Sequence, residues 1–293
     1  RLSLSPMLSH KGRLIGDFTI SRCREHEFQI TASFVAQAFQ MRWFERHLPY
    51  DGSVTVRNVS PDRIGFQIAG PNARELLSLV TREDVSNQAV PFMSVRKMEV
   101  GLCDATVQRV TYTGDLGYEI YVPAGQQIAL YRALNEAGKE LGLRPFGMRA
   151  MMSLRLEKSF GAWGREYRPD YTPVETGLDR FVSHNKPVSF VGKPAPAAAK
   201  AAGAKRQLCT FAVDADEADV WGDEPIIKDG EVVGFVTSGG YAHYSKKSVA
   251  IGFLPLSLIE QGQQVQIEIL GDMRPTTLIS EPLFDPDGKR MRG

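Results

Sequence analysis

The chain has 293 residues, 43% of them hydrophobic and 24% charged, with a formal charge of +1. That length supports two or three modest domains with cores of their own, and the near-neutral balance without a long basic run argues against a nucleic-acid partner. No apolar run approaches the roughly 20 residues of a membrane helix, and the three widely spaced cysteines and five scattered histidines suggest neither a disulfide framework nor a metal site.

The first residues, "RLSLSPMLSHKG", have no initiating methionine and no signal-peptide order, as if the chain began inside a domain. "RLIGDFTISR" reads as a strand interrupted near Gly16-Asp17, and "EFQIT" as a second short strand. "SFVAQAFQMRWFERHL" places Phe34, Ala38 and Met41 at helical intervals, and Pro49 helps to end that helix. "SVTVRNV" and "RIGFQIAG" alternate like strands, and "NARELLSLV" follows as a helix. Residues 91–111 return to strand patterns, and "RVTYTGDLGYEIYVP" reads as a β-hairpin with a glycine turn.

In "GQQIALYRALNEAGKELG", Ile128, Tyr131, Leu134 and Ala137 recur on one helical face, and Gly142 can stop the helix. "PFGMRAMMSLRLEKSF" is a further helix, and "GAWGREYRPDYTPVETGLDRFV" an ordered loop region suited to lining a pocket. Residues 192–207 change composition and read as a helix or linker to a C-terminal module. There, short strands with glycine turns favour a small antiparallel barrel or sandwich, and "KDGE" is a hairpin signal.

Glu119 alternates against Tyr118 and Ile120, so one side of its strand admits an acid. It is either a rim acid paired with an arginine or a fixed acceptor for two parallel N–H groups of a flat heterocycle. Asp17 enters an apolar strand, where an acid costs free energy unless hydrated or hydrogen-bonded; it is a turn acid or a group that moves protons. Thr19, two residues on, shares its face. Tyr112 can donate a hydrogen bond or stack on a planar ligand, or simply end a strand. Trp163, between glycines, covers a cofactor or fills a core. Pairing within their helix could satisfy Arg155 and Glu157. No nucleotide-binding glycine fingerprint and no nucleophile elbow occurs.

The ordered set "PMLSHKGRLIGDFTISR", "RWFERHLP", "FQIAGPNARELL", "RVTYTGDLGYEIYVP", "SLRLEKSFGAWGRE", "TPVETGLDRFV", "VGFVTSGGYAHYSKKSVAIGFLP" and "PLFDPDG" covers nearly the whole chain. It resembles the folate-dependent aminomethyltransferases, the T-proteins of glycine cleavage. The resemblance is closer to the version fused behind an FAD domain in dimethylglycine and sarcosine dehydrogenases or oxidases. It implies an α+β, three-domain cloverleaf with a C-terminal antiparallel β-barrel-like domain and an incomplete first domain. The expected boundaries are 1–123 for the remaining first, folate-binding domain, 124–200 for a mixed α/β domain and linker, and 201–293 for the barrel.

By the same resemblance, Asp17 and Tyr112 are catalytic and Glu119 holds the pterin ring. Thr19, Thr31, Tyr118, Arg149 and Trp163 complete the expected cofactor contacts. Thr31 stands where the glycine-cleavage proteins have an asparagine, and Met151 where they carry a functional arginine, with Arg149 two positions away. No metal is implied. The reaction implied is transfer of a one-carbon unit from an oxidised N-methyl amine, an iminium of dimethylglycine or sarcosine type, to tetrahydrofolate. Its products are 5,10-methylenetetrahydrofolate and the demethylated amine. FAD would belong to a missing N-terminal domain or a partner subunit. The alternatives are direct S- or O-demethylation onto tetrahydrofolate, or a non-catalytic folate-binding module. The expected location is the bacterial cytoplasm, or the mitochondrial matrix in a eukaryote.

Overall fold

The computed structural model describes residues 1–193, 204–215, 217–260 and 264–293. The chain divides into two compact units. One comprises residues 1–3, 19–147 and 287–293, the other residues 4–18 and 148–286. Strands β1 (Leu2–Leu8), β2 (Leu14–Arg24) and β3 (Glu27–Thr31) form a sheet in that order, and β2 passes from one unit to the other between Phe18 and Thr19. The expected interruption at Gly16-Asp17 does not occur, because β2 runs unbroken through both residues.

The first unit holds a four-stranded antiparallel sheet of order β4 (Arg63–Ala69), β7 (Gly117–Pro123), β6 (Cys103–Gln108) and β5 (Val95–Val100). One face carries Ile68, Tyr118, Ile120, Val122, Ala105, Val107 and Met98 into a core. Helices α2 (Ala73–Leu79) and α3 (Gln127–Ala137) close that core with Leu76, Leu77, Leu130 and Leu134. Alternation on each strand therefore sends Gln67, Glu119, Tyr121, Thr106 and Gln108 to the opposite face. Arg74 donates to the Tyr118 hydroxyl and the Arg109 guanidinium lies 5.3 Å from its ring centroid, so the phenol's polar end is satisfied inside the core.

Four expectations shift here. Helix α3 presents Leu130 and Leu134 to the core and leaves Ile128 and Tyr131 exposed, so the buried stripe is rotated from the expected face. It ends at Ala137, where Gly138 caps it, before Gly142 is reached. "SVTVRNV" makes no strand; its side chains are mostly exposed and, among the described residues, no strand pairs with it. A short 3₁₀ turn, Phe34–Ala36, precedes α1 (Gln37–His47), and both Phe34 and Val35 are exposed.

The second unit is built on a closed six-stranded antiparallel barrel of order β10-β11-β8-β13-β12-β9. These strands are β8 (Arg206–Val213), β9 (Pro225–Lys228), β10 (Glu231–Ala242), β11 (Lys247–Pro255), β12 (Gln266–Ile269) and β13 (Asp272–Ile279). The "KDGE" signal is a two-residue hairpin: Lys228 pairs with Glu231, and Asp229 and Gly230 both take positive φ, 50° and 84°. Together the units make an α+β fold with a closed C-terminal barrel. The expected boundary at residue 200 lies outside the described residues, and residue 123 lies inside the first unit.

Helix α4 (Met148–Glu157) joins the barrel through buried charges, and Arg155 and Glu157 are satisfied by partners beyond the helix rather than by pairing within it. Residues two apart point to different sides of a helix. Arg155 instead donates to Glu166 at 3.0 Å, to the Ser238 hydroxyl at 2.6 Å and to the Phe160 carbonyl. Glu166 also accepts from the Thr237 hydroxyl and the Ala162 N–H. Glu157 accepts from the backbone N–H groups of Tyr244 and Ser245 and from the Ser245 hydroxyl. The loop beyond α4 is ordered, with α5 (Pro173–Thr176) started by a full capping box between Thr172 and Glu175.

Candidate functional site

Glu119 sits in the middle of β7 on the sheet face turned away from the core. Its strand register places Gln67 of β4 directly opposite on one side and Gln108 of β6 on the other. Directly opposed residues share a face, so the three form one polar row across three strands. In the next row of that face, Gly65 opposes Tyr121, which opposes Thr106. A side chain at residue 65 would begin 2.8 Å from the Tyr121 ring, so glycine there leaves room for the ring beside the backbone. The Tyr121 hydroxyl donates to Glu119 Oε2 at 2.7 Å and is itself hydrogen-bonded to Thr31. Thr31 pairs with Thr19 across β3 and β2.

The electrostatics of this face are unusual. Among the described residues Glu119 has no ion-pair partner, and burial raises its pKa above the ordinary carboxylate value, only partly offset by the Tyr121 bond. Tyr121 is pushed up as well, by burial and by the neighbouring carboxylate. The reading of Glu119 as a rim acid held by an arginine therefore finds no arginine. The amide nitrogen of Gln67 and both amide atoms of Gln108 are buried without a hydrogen-bond partner among the described residues. A half-buried carboxylate with lone pairs left to accept suits a pair of parallel N–H groups on a ligand.

Gly114, at φ 83°, turns the chain in the loop between β6 and β7. Tyr112 occupies the same loop and is partly buried. That loop is tied down at Asp115, which accepts at 2.8 Å from Arg290 of helix α6 (Lys289–Arg292). Tyr118, in contrast, faces the core opposite Glu119 and cannot share a binding surface with it. Its place among the expected contacts is corrected on that ground, since adjacent residues of one strand point to opposite sides.

The second unit holds the other expected residues. Asp17 lies in β2 between the buried residues Gly16 and Phe18. Its carboxyl has no ion-pair partner among the described residues, and burial pushes its pKa from 3.8 up to about 7, with a backbone hydrogen bond pulling weakly the other way. Trp163 packs against a cluster of Leu8, Leu14, Tyr171, Leu178 and Phe253. Arg149 is exposed in the first turn of α4.

Thr19, Thr31 and Glu119 are thus brought into one unit and linked through Tyr121, which sequence reasoning did not single out. Gln67 and Gln108 were missed too. The signal for all three is register: only the pairing of β4, β7 and β6 reveals that residues 67, 119 and 108 are neighbours.

Comparison with known proteins adds three findings. Residues 1–186 match the model of the GCVT N-terminal domain, and residues 206–285 that of the glycine cleavage T-protein C-terminal barrel domain. The chain is 38% identical over 291 residues to mitochondrial dimethylglycine dehydrogenase of Homo sapiens, covering 99% of this chain and 34% of that protein. It is 29% identical over 285 residues to an aminomethyltransferase of Geobacillus sp. (strain WCH70), covering 97% and 77% respectively. The glycine cleavage system aminomethyltransferase T from Bartonella henselae shares the fold, with a TM-score of 0.84 over 98% of this chain and 76% of that one at 23% identity. The chain spans about a third of the length of the dimethylglycine dehydrogenases it matches.

Proposed function

The chain belongs to the glycine cleavage T-protein family, and from that premise we propose that it passes one-carbon units to tetrahydrofolate. The donor in this reading is the iminium of an oxidised N-methyl amine of dimethylglycine or sarcosine type. The products are 5,10-methylenetetrahydrofolate and the demethylated amine. The observation that carries the proposal is the half-buried Glu119 carboxylate, free of any cation among the described residues and held by Tyr121 on a polar sheet face. The sequence similarity to a dimethylglycine dehydrogenase favours this donor class over a sulfur- or oxygen-bound methyl group.

Bound tetrahydrofolate would supply nucleophilic nitrogens for a carbon at the oxidation level of formaldehyde. Glu119 would accept the paired N–H groups of the pterin ring, a bidentate match that fixes the ring plane. Tyr121, with Thr31 behind it, would keep the carboxylate from rotating. Asp17, with a pKa near neutrality, is suited to take a proton and give it back at its carboxylate oxygens. We assign Tyr112 to the same reaction as a hydrogen-bond donor, and Thr19, Arg149 and Trp163 to the surrounding contacts. Orientation and exclusion of water would do most of the work, since free formaldehyde otherwise escapes. Oxidation of the amine would fall to an FAD-bearing domain or subunit acting with these residues.

The test supplies the chain with tetrahydrofolate and a flavoprotein that oxidises dimethylglycine, and measures methylene-tetrahydrofolate against free formaldehyde. Wild type should divert carbon into the folate product. Asp17→Asn should stay folded, bind tetrahydrofolate and lose that diversion. Unchanged diversion by Asp17→Asn rejects its role, 5-methyltetrahydrofolate as product replaces the reaction, and no binding by wild type rejects the whole reading.

A further inference from the structure

Three polar side chains stand in register across β4, β7 and β6: Gln67, Glu119 and Gln108. Neighbouring strands lie about 4.8 Å apart, so the row spans roughly 10 Å of the sheet, the breadth of a fused two-ring heterocycle. The flanking amides are the anomaly. Gln108 is wholly buried, and neither its amide nitrogen nor its amide oxygen has a partner among the described residues. The Gln67 amide nitrogen is in the same condition. A buried amide left unpaired costs the fold free energy, and few such groups survive in native structures without a reason.

We infer that Gln67 and Gln108 are specificity-determining residues that flank Glu119 and donate from their amide N–H groups to the two acceptors beside the amidine N–H pair of a pterin. The inference rests on the proposed folate reading and deepens it. The hydrogen-bonding edge of a 2-amino-4-oxopteridine runs acceptor, donor, donor, acceptor: the 4-oxo oxygen, the ring N–H, the 2-amino group and ring nitrogen 1. The protein row runs donor, acceptor, acceptor, donor: a glutamine N–H, the two carboxylate oxygens and a second glutamine N–H. This pattern is symmetric, so it holds whichever way the ring enters. The Gln108 amide oxygen remains to accept from a further ring N–H, a group present in the reduced pterin. A carboxylate alone would accept any amidine or guanidine. The amides on either side restrict the site to rings with acceptors flanking the N–H pair, because a ring lacking them leaves the donors unpaired.

The test compares the whole chain with its Gln67→Met and Gln108→Met variants, which keep side-chain length and remove the amide. Two readouts are taken: unfolding by urea without ligand, and tetrahydrofolate affinity by equilibrium titration. Each variant should be at least as stable as wild type without ligand, because an unpaired buried amide is gone. Gln67→Met should bind tetrahydrofolate about five- to tenfold more weakly, the loss expected for one hydrogen bond in a desolvated site, and Gln108→Met more weakly still, because both its amide nitrogen and its amide oxygen lose a ring partner. Either variant unfolding at lower urea than wild type would place its amide in the protein's own bonding and overturn the inference. Wild-type affinity in both variants, alongside lost binding in Glu119→Gln, would overturn it while leaving the folate reading intact. No binding by wild type would overturn both.

Discussion

Replacing Asp17 with asparagine removes a carboxylate that the fold does not favour in its charged form. Burial raises its pKa from 3.8 to about 7. Between those values the folded chain keeps a proton that the unfolded chain has released, so the unfolding free energy falls as the pH rises through that window. At about 1.4 kcal/mol per pH unit, the interval caps the effect at about 4 kcal/mol. The side chain is not fully sealed, and relaxation of its surroundings brings the expected figure to about 2–4 kcal/mol. Asparagine keeps the shape and carries no charge. Urea unfolding of wild type and Asp17→Asn, measured from pH 4 to 8.5, should therefore give similar stabilities near pH 4. The gap should widen in favour of asparagine up to about pH 7 and then level off. Parallel curves, or a less stable asparagine variant at pH 8, would refute the argument that burial dominates this group. A gap that grows toward acid would reverse its sign.

The remaining expectations concern other parts of the molecule. Glu119→Gln should abolish tetrahydrofolate binding in a titration and, because burial raises that carboxyl too, flatten the loss of stability that wild type shows as pH climbs past the ordinary glutamate value of 4.5. Glu166→Gln leaves the buried Arg155 charge without its anion and should cost about 3–5 kcal/mol in urea unfolding. Gly252→Ala places a methyl group 2.6 Å from the Phe235 carbonyl oxygen inside the barrel and should cost about 1–3 kcal/mol, read as a lowered Tm. Gly65→Ala drives Tyr121 off its place above residue 65, and should weaken tetrahydrofolate binding with little change in stability, seen by running titration and thermal melt together.

Local chemistry decided much of this protein. Alternation in "DLGYEIYV" alone separates Glu119 from Tyr118, and "KDGE" alone demands its hairpin, because both depend on residues that touch along the chain. Other features depended on partners distant in sequence. "SVTVRNV" alternates as well as any strand here, yet no strand among the described residues pairs with it. The buried face of α3 was set by the sheet beneath it, not by its own periodicity. Arg155 found Glu166 eleven residues on and Ser238 on the barrel, rather than the acid two residues away. The row at Glu119 is the clearest instance. Gln67, Glu119 and Gln108 are ordinary polar residues in a list, and become neighbours only through the register of three strands, which long-range pairing sets.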